Sequence, residues 1–244
     1  LEPFQFRSEN LDYTEPIRKS MYTRLNDTRP HNSSPYLTSG IREYQLYFHQ
    51  KGFAIGISNA NMWWGAGLHS SLQMTNNTTG FRYFMVGTLE PYVIKQFSIN
   101  LRYLFSKMDK RNHGEPFFTA LLFETSYLSN PRLSIGFSRS YLSGGGGRPD
   151  YISQYDAMIQ PFEVLFLNAK QTDPNNPESS VDIWDQILVG YLTAIFPSSG
   201  LKIYVEYGRD DHAWDWDDFK RQPDHSGAGV FGLRKYGLFG KENL

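Results

Sequence analysis

The sequence predicts an all-β protein, an antiparallel transmembrane β-barrel, and three observations point there. Segment after segment alternates with the period of two that puts successive side chains on opposite faces of a strand. The face opposite the apolar one repeatedly combines small residues with isolated charges, as a crowded polar lumen requires. Aromatic residues make up 16% of the 244 residues, mostly Tyr and Phe. Many stand near expected strand ends (Tyr44, Tyr83, Tyr92, Tyr127, Tyr141, Tyr207), where interfacial girdles form. Alternation alone is shared by a soluble β-sandwich or lectin-like domain, so at this level both architectures stay open.

Taken in order, "REYQLYFHQ" (42–50) sets Tyr44, Leu46 and Phe48 against Glu43, Gln45, Tyr47 and His49. Lys51-Gly52 makes a tight turn, and "FAIGISN" returns with Phe53, Ile55 and Ile57 opposite Ala54, Gly56 and Ser58, a hairpin. "SINLRYLF" (98–105) places Ile99, Leu101, Tyr103 and Phe105 against Ser98, Asn100 and Arg102. "RLSIGFSRS" (132–140) places Leu133, Ile135 and Phe137 against Arg132, Ser134, Gly136 and Ser138. "LKIYVEYG" (201–208) places Leu201, Ile203, Val205 and Tyr207 against Lys202, Tyr204 and Glu206. Further strands are expected at 68–75, 83–90, 117–127, 185–196 and 227–235, about ten in all. Between them, "SGGGGRPD" (143–150) and "NAKQTDPNNPESS" (168–180) read as mobile loops. "YISQYDAMIQPFEVLFLN" reads as a helix broken near Pro161. Residues 1–40 read as an irregular N-terminal segment of a single domain, 1–244. "LEPFQFRSEN" has neither the basic nor the apolar region of a signal peptide, so the chain reads as a mature protein or a fragment.

Composition removes several function classes. Formal net charge is −1 and the isoelectric point about 6.7, so no basic field invites nucleic acid. There is no cysteine, hence no disulfide framework and no thiolate metal site. No run approaches the ~20 apolar residues of a spanning helix. A mean hydropathy of −0.49 does not oppose a barrel, whose apolar residues are hidden in alternation.

The acidic stretch "DDHAWDWDD" raises a glycosidase or cation reading through Asp210, Asp211, His212, Asp215, Asp217 and Asp218. Its spacing matches no calcium loop and lacks the central glycine. Charge runs of this kind usually face water. His212 and His225 accompany no G-x-S-x-G turn, and the glycine run lacks the Lys-Ser/Thr ending of a phosphate loop. No catalytic residue, metal site or cofactor is therefore expected. The tryptophans are the better lead. Indoles stack on pyranose faces while amides and carboxylates accept sugar hydroxyls, which suits Trp63, Trp64, Trp214 and Trp216 beside Asn and Asp. Packing inside a barrel or anchoring at its interface explains the same residues.

"NMWWGAGLHSSLQMTNNTTGF" resembles the signature of the capsule assembly protein Wzi family: a tryptophan-glycine-x-glycine element, a Ser-Leu strand and an Asn-Asn turn. "RLSIGFSRSYLSGGGGRPD" is similar to the family's Gly-x-Ser-Arg strand and glycine-rich loop. "LKIYVEYGRDDHAWDWDDF", followed by "PDHSGAGVFGLRKYG", is similar to its later strand, acidic loop and following strand. The resemblance runs over about residues 40 to 236. It implies an outer-membrane barrel of eighteen antiparallel strands with a helical bundle at the periplasmic end and extracellular loops closing the top. It also implies a non-enzymatic role in attaching capsular or exopolysaccharide to Gram-negative cells. Ten strands cannot close such a barrel alone, so an incomplete piece or a shortened relative is expected. In a barrel, Trp63 and Trp64 can take opposite faces.

The expected partners are surface polysaccharide, outer-membrane lipid and other capsule or envelope proteins, with no nucleic acid. The expected polymer contacts are Trp214, Trp216, Asp215, Asp217 and Arg209 in the acidic loop, Arg139 and Arg148 flanking the glycine run, and Trp63, Trp64 and Asn77. A diffusion porin, and a soluble carbohydrate-active enzyme using Asp215 with Asp217 or Asp218, are the rival readings.

Overall fold

The computed structural model describes residues 2–8, 36–76, 80–108, 115–144, 153–166, 172–173, 176–180, 184–210 and 226–237. The chain divides into two units, Leu1–Tyr44 and Gln45–Leu244. In the first, β1 (Glu2–Ser8) and β2 (Tyr36–Glu43) pair antiparallel.

The second unit is built on one ten-stranded antiparallel sheet. Its strands are β3 (Gln45–Gln50), β4 (Phe53–Ser58), β5 (Tyr83–Thr88), β6 (Tyr92–Ile94), β7 (Phe97–Lys107), β8 (Phe117–Tyr127) and β9 (Arg132–Ser143), followed after a long connection by β12 (Trp184–Phe196), β13 (Leu201–Asp210) and β14 (Gly227–Lys235). That connection holds α1 (Gln154–Phe166) and the small pair β10 (Thr172–Asp173) and β11 (Asn176–Ser180). Sheet order is β14-β13-β12-β9-β8-β7-β5-β4-β3, with β6 pairing only with β7. Apart from β6 and the separate β10–β11 pair, strands that follow one another in this unit are neighbours in the sheet, as in a meander.

The first hairpin forms as the sequence predicts. Lys51 and Gly52 both have positive φ, 51° and 84°, as the two-residue hairpin turn that matches strand twist demands. From β7 to β14 the register runs without a shift, so each strand keeps one face throughout. One face carries the large apolar side chains, and they are exposed. Phe48 is 75% exposed, Ile135 54% and Phe231 72%, with Ile55, Leu101, Phe123, Phe137, Leu192 and Val205 also open. The opposite face is buried and holds Ala54, Ser58, Ser98, Ala120, Ser138 and Glu206. This is the reverse of a soluble sandwich, whose aliphatic residues would face each other across the core. Leu101, Ile135 and Phe137 thus lie on the exposed face, as expected; among the described residues the strands form an open sheet, not a closed barrel.

The exposed band is not parallel to the hydrogen-bonded rows. On β3 and β4 it centres on Phe48 and Ile55, in the row that continues through Val86 to Tyr103. On β13 and β14 it centres on Val205 and Phe231, in the row that runs through Leu192, Ile135 and Thr125 to Ile99. The band has slipped by four residues, from Tyr103 to Ile99, over the six strand-to-strand steps separating β4 from β13. At ~3.4 Å per residue and ~4.8 Å per strand, the strands lean roughly 25° from the perpendicular to the band. Tilt of this kind is a condition of closing strands into a barrel.

The inward face is packed by pairing tyrosines with glycines on adjacent strands. Tyr191 lies over Gly136, where a Cβ would stand 2.0 Å from its Cζ, and Tyr204 lies over Gly232, where the distance would be 2.1 Å. The glycines leave room for rings laid flat across the neighbouring strand. One core cluster joins Ala54, Tyr83, Met85, Leu104, Ala120, Leu122, Tyr191 and Tyr204 with Trp64 and Ala66 of the β4–β5 connection.

Three expectations need correction. Residues 68–75 are not a strand. They belong to a loop with a single bridge, Trp64 to Met74, and the Leu72 N–H turns to Glu206 on β13 instead of to a neighbouring strand. The helix runs through Pro161 rather than breaking there. Ser153 and Asp156 cap its start reciprocally, Asp156 N–H donating to Ser153 Oγ at 3.1 Å and Ser153 Oγ to Asp156 Oδ2 at 2.7 Å. The stretch 168–180, expected to be loop alone, contains the β10–β11 pair. Of the glycine-rich loop, 145–150 lies outside the described residues.

The glycines give a paired test. Gly136→Ala forces a methyl into the Tyr191 ring and is expected to cost about 1–3 kcal/mol. Gly190, on the outward face with nothing within 4 Å of an added Cβ, accepts alanine without loss. The midpoint of heat-modifiable gel mobility should fall for Gly136→Ala and stay unchanged for Gly190→Ala.

Candidate functional site

The connection between β4 and β5 does not leave the sheet. It folds back across the inward face, and a single carboxylate receives it. Glu206, on β13, is fully buried. Its Oε2 accepts from the backbone N–H groups of Ala66 and Gly67 at 3.1 and 3.3 Å. Its Oε1 accepts from Leu72 N–H at 2.7 Å and from Ser71 Oγ at 3.0 Å. Successive backbone N–H groups wrapped around one anion make a nest. Hydrogen bonds to a charged group contribute roughly 1.5–3 kcal/mol each, and four converge here.

The sequence builds this cradle with glycine. Gly65 has φ +140°, and a Cβ there would stand 2.4 Å from Ser71 Oγ and 2.6 Å from Glu206 Oε2. At Gly67 a Cβ would lie 1.9 Å from Ser70 O. The loop also braces itself. Trp64 N–H donates to Met74 O at 3.2 Å, Ser71 Oγ bonds to Trp64 O, and Trp63 Nε1 donates to Gly67 O at 3.0 Å. Ser58 Oγ accepts from Ala60 N–H at 2.9 Å where the loop leaves β4, and Tyr83 OH donates to Ala60 O at 3.2 Å where it rejoins β5. Other polar groups line the same face. Glu124 Oε2 accepts from Tyr191 OH at 2.6 Å, and Arg102 donates to the carbonyls of Thr88 and Leu89 at 3.0 and 2.9 Å.

The adjacent tryptophans are thereby placed. They lie on a loop, not on a strand with two faces. Trp64 is 1% exposed in the core, and Trp63 is half-buried against Gly67. Arg139 and Arg209 lie in one row on either side of Leu188, near the ends of β9 and β13 that lead into long connections. Both are buried. Arg139 donates through Nε and Nη2 to Gln186 Oε1 at 3.2 and 2.6 Å and stacks over Tyr141 at 5.0 Å. Their parity puts them on the outward face, away from Glu206. Trp214, Trp216, Asp215, Asp217, Arg148 and Asn77 lie outside the described residues.

Sequence reasoning missed Glu206, Ser71 and the donors at Ala66 and Leu72. Gly65-x-Gly67 was a signal for close backbone approach, but nothing in the sequence named its partner more than a hundred residues away. Among the described residues no cluster of His, Asp or Glu is suited to a metal ion.

Replacing Glu206 with alanine strands three backbone donors, while the Ser71 hydroxyl keeps Trp64 O as its acceptor. In hydrogen exchange the amides of Ala66, Gly67 and Leu72 should lose protection in Glu206→Ala and keep part of it in Glu206→Gln, while β8 and β9 amides are unchanged. Full protection in Glu206→Ala would mean that the loop is held by packing alone.

The model of one protein family, capsule assembly protein Wzi, matches residues 45–243. The match begins where the second structural unit begins, at Gln45. Searches of curated proteins and of solved structures return no match. With nearly all of the sheet-bearing unit inside the family match, the chain belongs to the capsule assembly protein Wzi family, which works in capsule assembly at the outer membrane.

Proposed function

We propose that this protein is a non-catalytic outer-membrane barrel that holds capsular or exopolysaccharide at the cell surface. Its ten-stranded sheet is an arc of a larger closed barrel. The observation that carries this reading is the reversed sheet. An aliphatic face open to the outside and a polar face filled from within suit lipid on one side and a plugged lumen on the other.

Connection lengths support one orientation. The turns at 51–52, 95–96, 128–131 and 197–200 lie at one end of the strands. The connections 59–82, 108–116, 144–183 and 211–226 lie at the other. Membrane barrels carry short turns on the periplasmic side and longer loops outside. The Glu206-held loop therefore enters from the extracellular side, and the acidic loop with Trp214 and Trp216 is extracellular too. In sequence Trp214 and Trp216 alternate with Asp215 and Asp217, and indoles with carboxylates are the residue types that suit contact with a hydroxylated polymer.

The porin reading is disfavoured by the loop across the inward face. The soluble-enzyme reading is disfavoured by the exposed aliphatic band, and the inward carboxylates Glu124 and Glu206 are already engaged by Tyr191 and by the loop.

Deleting the gene should strip capsule from cells, and the wild-type copy should restore it. The double variant Trp214→Ala/Trp216→Ala should assemble a heat-modifiable barrel yet retain less polysaccharide on the surface. Normal capsule in the deletion strain would end the attachment role. Normal retention by the double variant would remove the acidic loop from it.

A further inference from the structure

Helix α1 packs against the outward face of the sheet, not the inward one. Ala157 is buried in a cluster with Phe105 and Tyr141, flanked by Tyr103, Phe117 and Met158. Tyr103 OH donates to Met158 O at 2.7 Å, and Ser143 Oγ donates to Gln160 Oε1 at 2.6 Å. Tyr103 and Phe105 share their face with the exposed Phe97 and Leu101 on β7. Tyr141 and Ser143 share theirs with the exposed Leu133, Ile135 and Phe137 on β9. Unbroken register fixes this assignment.

The helix therefore sits on the same face as the aliphatic band, one row above it. On β7 to β9 the open band runs up to Leu101, Phe123 and Phe137. The next row, Tyr103, Leu121 and Arg139, begins the covered zone and carries the first outward charge on these strands. The helix surface that the sheet leaves open is not polar throughout. Tyr155 is 68% exposed and Phe162 43%, seven residues apart and so on one side of the helix. The Phe162 ring lies 5.3 Å from the Tyr103 ring, which continues the band upward from Leu101 onto the helix.

We infer that α1 is an external collar whose Tyr155–Phe162 side rests in the headgroup layer of the bilayer, at the end of the barrel that carries the long connections. Continuity with the band selects lipid as the occupant. An amphipathic helix at an apolar boundary buries its aromatic side where acyl chains meet headgroups, and Tyr and Phe suit that depth. The slipped band gives the same height independently. Its upper edge falls at the Leu46–Ile57 row on β3 and β4 and at Tyr207 on β13. Between these strands, on β7 to β9, the edge falls where α1 begins. The inference rests on the membrane-spanning reading proposed above.

This chain has no cysteine to compete for label. Tyr155→Cys, Phe162→Cys and, as a reference in the band, Phe137→Cys would each be labelled with a nitrobenzoxadiazole fluorophore. The full-length protein would then be reconstituted in phosphatidylcholine vesicles brominated either near the headgroup or at mid-chain. The expected result is stronger quenching of positions 155 and 162 by the shallow bromines and of position 137 by the mid-chain bromines. Quenching at 137 with none at 155 and 162 would overturn the collar while leaving the barrel in the membrane. That holds whether water or a second protein copy covers the helix. No quenching at any position would sink the membrane reading itself.

Discussion

The unbroken register from β7 to β14 is the constraint on which the rest of this structure depends. In a strand, one residue of slip exchanges every side chain between faces. Here the faces are so unlike that a slip would drive Glu206 and Ser138 outward and Val205 and Phe137 into a crowded interior. The longest pairings, such as β9 with β12 from Arg132–Ile195 to Ser143–Trp184, hold without a bulge. Each strand then needs only period-two patterning to present aliphatic residues on one side and small or hydrogen-bonded residues on the other.

The register also brings together residues remote in sequence. Glu124, Gly136, Tyr191 and Glu206 lie in one inward row across β8, β9, β12 and β13. Gly136 admits the Tyr191 ring, the Tyr191 hydroxyl reaches Glu124, and Glu206 is left to receive the loop after β4. A buried carboxylate is costly unless its acceptor sites are filled, and three backbone amides and a serine hydroxyl fill them. The same contact that relieves Glu206 fixes the loop across the inward face. Packing of the inward face and anchoring of the loop that crosses it are thus one arrangement.

Much of this architecture was legible in the sequence because alternation is a local signal. The Lys51-Gly52 hairpin and strands 117–127 and 227–235 read directly from apolar spacing and turn residues. The 68–75 stretch misled for the same reason. "LHSSLQMT" alternates, but its Leu72 N–H and Ser71 hydroxyl are drawn to Glu206, a long-range contact that no local pattern contains. Pro161 misled because a proline interrupts one helical hydrogen bond without ending a helix that is capped by Ser153 and packed on Tyr103 and Tyr141. For the candidate site, the glycines of the tryptophan motif were visible and the residue they serve was not. Arg139 and Arg209 were singled out as charges near loops. The structure adds that they flank one residue, Leu188, on the outward face.

Which face of the sheet meets lipid is tested most directly on β9. Spin labels at single cysteines replacing Leu133, Ser134, Ile135, Phe137 and Ser138 would be scanned in vesicles for collision with oxygen, which concentrates in the acyl region. Accessibility should be high at 133, 135 and 137 and low at 134 and 138, a period of two in phase with the exposed band. High accessibility at 134 and 138, or the same value at all five positions, would contradict it.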